Sequence, residues 1–152
     1  PDGMAEGELD PGDPFAWSAL RAEAARRFGI RRFRPGQREL IAAAMRGEDV
    51  LGILPTAAGK SLCYQLPSLF LRGLVVVVSP LLALMRDQAE RLDGAGVEGA
   101  RLDSTVPAGE QRRVESELAG GLHDVVLVTP ERLQSPAALA PLRARGVALV
   151  VI

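Results

Sequence analysis

Three stretches of this chain, Leu74–Val78, Val125–Val128 and Val147–Ile152, are apolar without a break. A strand with one face in water alternates polar and apolar residues, whereas a parallel strand covered on both faces does not. Between these runs lie segments with helical spacing: Leu81–Leu92, broken by Gly94 and Gly96; Pro107–Leu118, closed by Gly120-Gly121; and Pro136–Arg145. A further short strand is expected at Ala100–Leu102. Strands alternating with helices predict an α/β fold, a mostly parallel open sheet flanked by helices. Ahead of the sheet, Asp13-Pro14 is suited to open a helix through Phe28, with Trp17 and Leu20 on its apolar face and Gly29 as its stop. A second helix is predicted over Gln37–Arg46, with Leu40, Ile41, Ala44 and Met45 inward.

At 152 residues the chain is one domain in size, and 47% hydrophobic content supports a real core. One cysteine excludes an internal disulfide and a zinc-type cluster and fits a reducing compartment. No apolar stretch reaches membrane-spanning length and no signal pattern opens the chain, so a cytoplasmic protein is expected, without a membrane partner. Residues 1–14 hold five acids and no base, and are expected to form a disordered acidic tail before a domain over 15–152. From Arg21 to Arg46, eight arginines face two acids, a local charge of +6 that suggests phosphate contact. The chain begins with Pro and ends inside a strand-like run, and is read as a fragment.

The residues with the most chemical content lie in VLGILPTAAGKSLCYQL, Val50 to Leu66. Val50–Leu54 has strand length, Pro55–Gly59 turns, and Lys60-Ser61 opens a helix. Strand, small-residue turn and Gly-Lys-Ser helix start are what a phosphate-binding loop requires. Backbone N–H groups and the positive helix end face an anion. Lys60 is placed to reach terminal phosphates and the Ser61 hydroxyl to ligate Mg²⁺. The loop departs from G-x-x-x-x-G-K-[ST] in having Leu54 at the first glycine. Lys60 is the only lysine among 18 basic residues, retained where an ammonium fits a phosphate cradle and a planar guanidinium does not.

In a parallel sheet the carboxyl ends of all strands share one edge. That edge is expected to carry the Lys60 loop, Ser79-Pro80, Ser104-Thr105 and Thr129-Pro130. Hydroxyl residues are ordinary turn formers, but several on one rim beside a phosphate loop suggest a second polyanion held by its backbone. Gln37, at a helix start, can present its amide outward to an adenine edge, although a glutamine there is more often plain surface. Cys63 is expected to act as a small buried apolar residue.

Four blocks, FGIRRFRPGQ, LPTAAGKSLCYQLP, VVVVSPLLALMRDQ and VLVTPERL, in that order, resemble the first RecA-like lobe of RecQ-type superfamily 2 DNA helicases, a P-loop NTPase fold. The resemblance covers about Leu20 to Ile152 and implies an ATP- and Mg²⁺-dependent enzyme. It implies translocation 3′ to 5′ on single-stranded or forked DNA, in repair and recombination, compatible with the bacterial nucleoid. It implies adenine contacts from Arg34 and Gln37 and a phosphate loop of Thr56, Ala57, Ala58, Gly59, Lys60 and Ser61. Lys60 would be the catalytic residue, on the β- and γ-phosphates, and Ser61 the Mg²⁺ ligand. Ser79 and Pro80 with Arg86 and Gln88, then Thr129, Pro130 and Arg132, match the two segments that face single-stranded DNA.

The chain departs from the family pattern where Ala57 replaces a glycine and Ile30 an adenine-stacking aromatic. The Asp-Glu-Ala-His acids, the arginine finger and the zinc-binding and winged-helix regions do not occur in these residues. The chain is therefore expected to hold half an ATP site, truncated at its C-terminal end, and to be inactive alone. Two other readings stay open: a nucleotide- or nucleic-acid-binding module without catalysis, and a superfamily 2 motor acting on RNA.

Overall fold

The computed structural model describes residues 17–55 and 59–152. The acidic tail, the Asp13-Pro14 helix opening and Thr56, Ala57 and Ala58 of the loop lie outside the described residues.

Four strands form one sheet: β1 (Leu74–Val78), β2 (Gly99–Leu102), β3 (Val125–Val128) and β4 (Val147–Val151). All pairings are parallel and the order across the sheet is β2-β3-β1-β4. The unbroken apolar runs have the expected cause. Val75, Val77, Val125 and Leu127 face one layer, where α4 (Leu82–Gly94) contributes Met85 and Leu92. Leu74, Val76, Val126 and Val128 face the other, against Val114 and Leu118 of α5 (Ala108–Ala119) and Leu142 of α6 (Pro136–Arg145). Alternate residues of each strand thus feed two separate cores. Among the described residues, no helix is long and apolar enough to cross a membrane.

A third core lies off the sheet. Trp17, Leu20 and Ala24 of α1 (Trp17–Phe28) meet Ile41 and Ala42 of α2 (Gln37–Arg46) and Leu62 and Leu66 of α3 (Leu62–Ser68). Trp17 lies edge-on to Phe33, and Arg38 stands 4.6 Å over its ring. The helix α3 stops at Ser68. Beyond it the chain closes with tighter bonds, Leu69 N to Leu66 O and Phe70 N to Pro67 O, beside a last bond of helical reach from Leu71 N to Pro67 O.

One strand expectation is corrected. Val50–Leu54 pairs with none of the four strands. Its Leu51 and Ile53 side chains are 85% and 86% exposed. It packs on the helix before it instead: a Cβ at Gly52 would stand 2.5 Å from Leu40 Cδ1, so the backbone there lies directly against α2. A groove of about 500 Å³ separates the segment from β4, whose outer edge has no strand beside it. Apolar content makes a strand possible, but a strand forms only where a neighbour completes its hydrogen-bond ladder.

At the amino end of β3, Asp124 is partly buried. Burial raises its carboxyl pKa above the ordinary value; Arg145 opposes the rise and Glu98 adds to it. A carboxyl whose folded pKa lies above its unfolded one favours the fold at low pH, and that contribution is lost as pH rises through the folded pKa. Asp124→Asn should therefore raise the melting temperature at pH 7.5. The gain should shrink as pH falls through the folded carboxyl's pKa and be gone below about 4, where the unfolded carboxyl is protonated as well. Thermal unfolding of both proteins across that range checks the sign.

Candidate functional site

The turn Gly59-Lys60-Ser61 runs straight into α3. Gly59 O, Lys60 O and Ser61 O accept from Leu62 N, Cys63 N and Tyr64 N at 3.2, 3.0 and 3.3 Å, and Ser61 already has helical φ and ψ. The N–H groups of Leu62, Cys63 and Tyr64 are thus engaged within the turn itself, which leaves an anion here to the N–H groups ahead of them. Lys60 is exposed and lines the groove with Cys63, Tyr64 and the edge of β4 from Ala148 to Ile152. Ser61 is half-buried at the head of the helix.

Gly59 is demanded twice over. Its φ is +75°, and a Cβ built on it would stand 2.5 Å from Gln37 Nε2. That closeness reflects a bond: Gln37 Nε2 donates to Gly59 O at 2.9 Å, while Gln37 Oε1 accepts from Arg34 N at 2.8 Å. The glutamine is 1% exposed. Its amide, expected to point outward, is turned inward and ties the Arg34 turn to the loop. It is a second donor to Gly59 O, which also accepts from Leu62 N, so the buried amide is itself satisfied at both ends. The Arg34 side chain is exposed.

Cys63 is partly buried, and burial pushes its thiol up to about 11, so it carries no reactive thiolate at neutral pH. Among the described residues no group of His, Cys, Asp and Glu stands together as a metal cluster.

The rim is in register. Val78, Val128 and Leu102 are paired side by side across β1, β3 and β2. The turns that follow are stitched together: Ser79 N donates to Val128 O and Thr129 N to Leu102 O. Ser79, Ser104-Thr105 and Thr129-Pro130 therefore stand on one edge, spanning about 10 Å at the usual strand spacing. Ser79 Oγ accepts from Leu81 N at 3.2 Å. Pro80, Ser104, Thr105 and Pro130 are exposed, but Thr129 is buried, its carbonyl accepting from Arg132 N and Leu133 N. On α4, Arg86 is exposed and Gln88 half-buried.

Arg132 is not directed to open solvent. Its Nη2 bonds Glu115 Oε1 on α5 at 3.1 Å, and its side chain is 24% exposed. Asp103, 1% exposed, organises the neighbouring turn. Its Oδ1 accepts from Thr105 N at 2.7 Å and from Thr105 Oγ1, and its Oδ2 stands 2.8 Å from Arg101 Nε as an ion pair without an aligned hydrogen bond. Gln111 of α5 donates to Asp103 O and Val106 O. Neither Gln111 nor Glu115 is visible as functional in the sequence. Both read as polar positions of a charged helix, and only their spacing of one helical turn hints at a shared face.

The sequence pattern of the DEAD/DEAH box helicases matches residues 34–152. The chain belongs to that family. Within it this helicase chain is of the RecQ type: it is 40% identical to the ATP-dependent DNA helicase RecQ of Haemophilus influenzae, over 80% of this chain and 19% of that one. The helicase chain thus spans about a fifth of the length of the curated relatives it matches. Its fold is that of a helicase RecA-like lobe. A hypothetical ATP-dependent RNA helicase from Sulfolobus tokodaii superposes with a TM-score of 0.62 at 27% identity, covering 76% of this chain and 35% of that one. The DUF1998 helicase MrfA bound to DNA superposes at 0.64, with 23% identity, over 77% of this chain and 17% of that one.

Proposed function

We propose that the chain forms the ATP-binding lobe of a RecQ-type ATP-dependent DNA helicase that moves 3′ to 5′ along one strand and opens forked duplexes. The observation that carries this reading is a rim of adjacent turns: those after β1, β2 and β3 stand side by side at the carboxyl ends of parallel strands, and the Lys60 groove runs along the neighbouring edge of β4, from Ala148 to Ile152. Such an edge can take a triphosphate at one end and a sugar–phosphate strand along the other. The Haemophilus relative is a DNA helicase by its printed name, which favours DNA over RNA as the track.

In this reading the Lys60 ammonium neutralises the β- and γ-phosphates, and N–H groups from Thr56 to Ser61 cradle them. The Ser61 hydroxyl holds Mg²⁺, which when bound screens charge on the terminal phosphates. Arg34 lies at the adenine end, and Gln37 holds Gly59 so that the loop keeps its shape beside the base. Ser79, Pro80, Arg86 and Gln88 form one DNA-facing segment, and the turn built by Thr129, Pro130 and Arg132, with Pro130 exposed, forms the other. Hydroxyls and backbone groups grip phosphates without reading bases.

Titration of a fluorescent ATP analogue with Mg²⁺ tests this. The 152-residue chain should bind it saturably and Lys60→Ala should not. Expressed alone, the chain should release phosphate no faster with single-stranded DNA than without it. DNA-stimulated release that Lys60→Ala abolishes would show a complete catalytic site within these residues.

A further inference from the structure

The turns after β2 and β3 are neighbours on the rim, and one helix holds both. Gln111 Nε2 donates to Asp103 O at 3.1 Å and to Val106 O at 2.7 Å, closing the turn that presents Ser104 and Thr105. One helical turn further along α5, Glu115 Oε1 takes Arg132 Nη2 and so anchors the turn of Thr129 and Pro130, of which Pro130 is exposed. The Glu115 and Arg132 side chains are 17% and 24% exposed, unlike the solvated pairs Arg113–Glu110 and Arg113–Glu117 on the same helix. Arg132 Nε is buried and meets no acceptor among the described residues. A guanidinium held this way is shared with a carboxylate, whose charge offsets much of what it could offer a phosphate. An exposed ion pair adds little, but breaking an enclosed one strands a charge and lets its surroundings move.

We propose that Gln111 and Glu115 are positioning residues for the DNA track. From one edge of α5 they set the separation of two adjacent rim turns, so that both meet phosphates of the same strand. Arg132 serves through the turn it braces and not by touching a phosphate. The inference rests on the reading of this rim as the DNA-binding edge.

The test uses the intact helicase, fluorescently labelled oligo-dT, and anisotropy at several salt concentrations. Glu115→Ala should weaken binding about five- to tenfold, the scale of the net contribution of one hydrogen bond. The dependence of log affinity on log salt should keep its slope, because no phosphate contact is removed. The DNA concentration for half-maximal stimulation of ATP hydrolysis should rise while the rate at saturating DNA is retained. Glu115→Gln, whose amide oxygen still accepts from Arg132, should recover most of the loss. Adding Glu115→Ala to Arg132→Ala should cost nothing more, and Gln111→Ala should weaken binding by itself with the slope again unchanged.

Tighter binding by Glu115→Ala, with a slope steeper by about one, would mean that Glu115 masks a phosphate-binding arginine, and would overturn the proposal. So would a slope flattened by about one in Arg132→Ala, or unchanged affinity in Glu115→Ala. Should Glu115→Ala not fold, Glu115→Gln and Gln111→Ala carry the decision, and wild-type affinity in both overturns the brace. Failure of the wild-type helicase to bind oligo-dT would instead remove the DNA-edge reading on which the brace depends.

Discussion

Lys60→Ala should leave the intact helicase unable to unwind DNA, with ATP turnover down by about 10³-fold, the scale of losing one charge-stabilising group in phosphoryl transfer. The same change should move the melting temperature by no more than about 2 °C, as substitutions away from buried features do. The asymmetry follows from where Lys60 stands. Its side chain is exposed and makes no ion pair among the described residues, so the fold does not depend on it. Lys60→Arg should fare little better, because a planar guanidinium cannot enter a cradle sized for an ammonium. Strand separation retained by Lys60→Ala would contradict the assignment. Fluorescence unwinding assays with calorimetric scans on the same samples make the comparison.

Gly59→Ala should be the most damaging substitution in the loop that adds a single methyl group. A left-handed φ of +75° costs an alanine about 1–2 kcal/mol. The new Cβ also falls 2.5 Å from Gln37 Nε2, so the amide must leave Gly59 O and release Arg34 N. Together these should lower the melting temperature by about 5 °C and nucleotide affinity by about tenfold or more, since the cradle N–H groups lose their fixed directions. Gln37→Ala separates the two costs: it removes the amide bond and adds no backbone strain. If both effects operate, the double variant Gly59→Ala/Gln37→Ala will lose less than the sum of the single ones, because the steric conflict is gone while the φ cost stays. Strict additivity would mean that the amide and the loop are not coupled.

Much of this fold is visible in the residue pattern. The runs Leu74–Val78 and Val125–Val128 have the same bounds as β1 and β3, because a two-faced core requires uninterrupted apolar residues. Gln37–Arg46 likewise matches α2, which ends at a left-handed Gly47. The rim was legible as well: once strands are parallel, whatever follows each one shares an edge. Val50–Leu54 was not. Its composition is as strand-like as that of β4, yet it lies against α2 across a groove from the sheet. The two apolar segments differ in their neighbours, and a neighbour is not a local property.

The same distinction divides the site. Sequence alone determined that a lone lysine and a serine open a helix behind a glycine turn, that parallel strands deliver hydroxyl-bearing turns to one edge, and that the family is one of helicases. Only the tertiary structure decided that the amide of Gln37 turns inward to Gly59, that Arg132 is held by Glu115, and that one edge of α5 fastens two rim turns. Periodicity and turn chemistry act over a few residues and can be read along the chain. Which acceptor a buried amide or guanidinium finds depends on groups 17 to 22 residues away, brought within bonding distance when the layers pack.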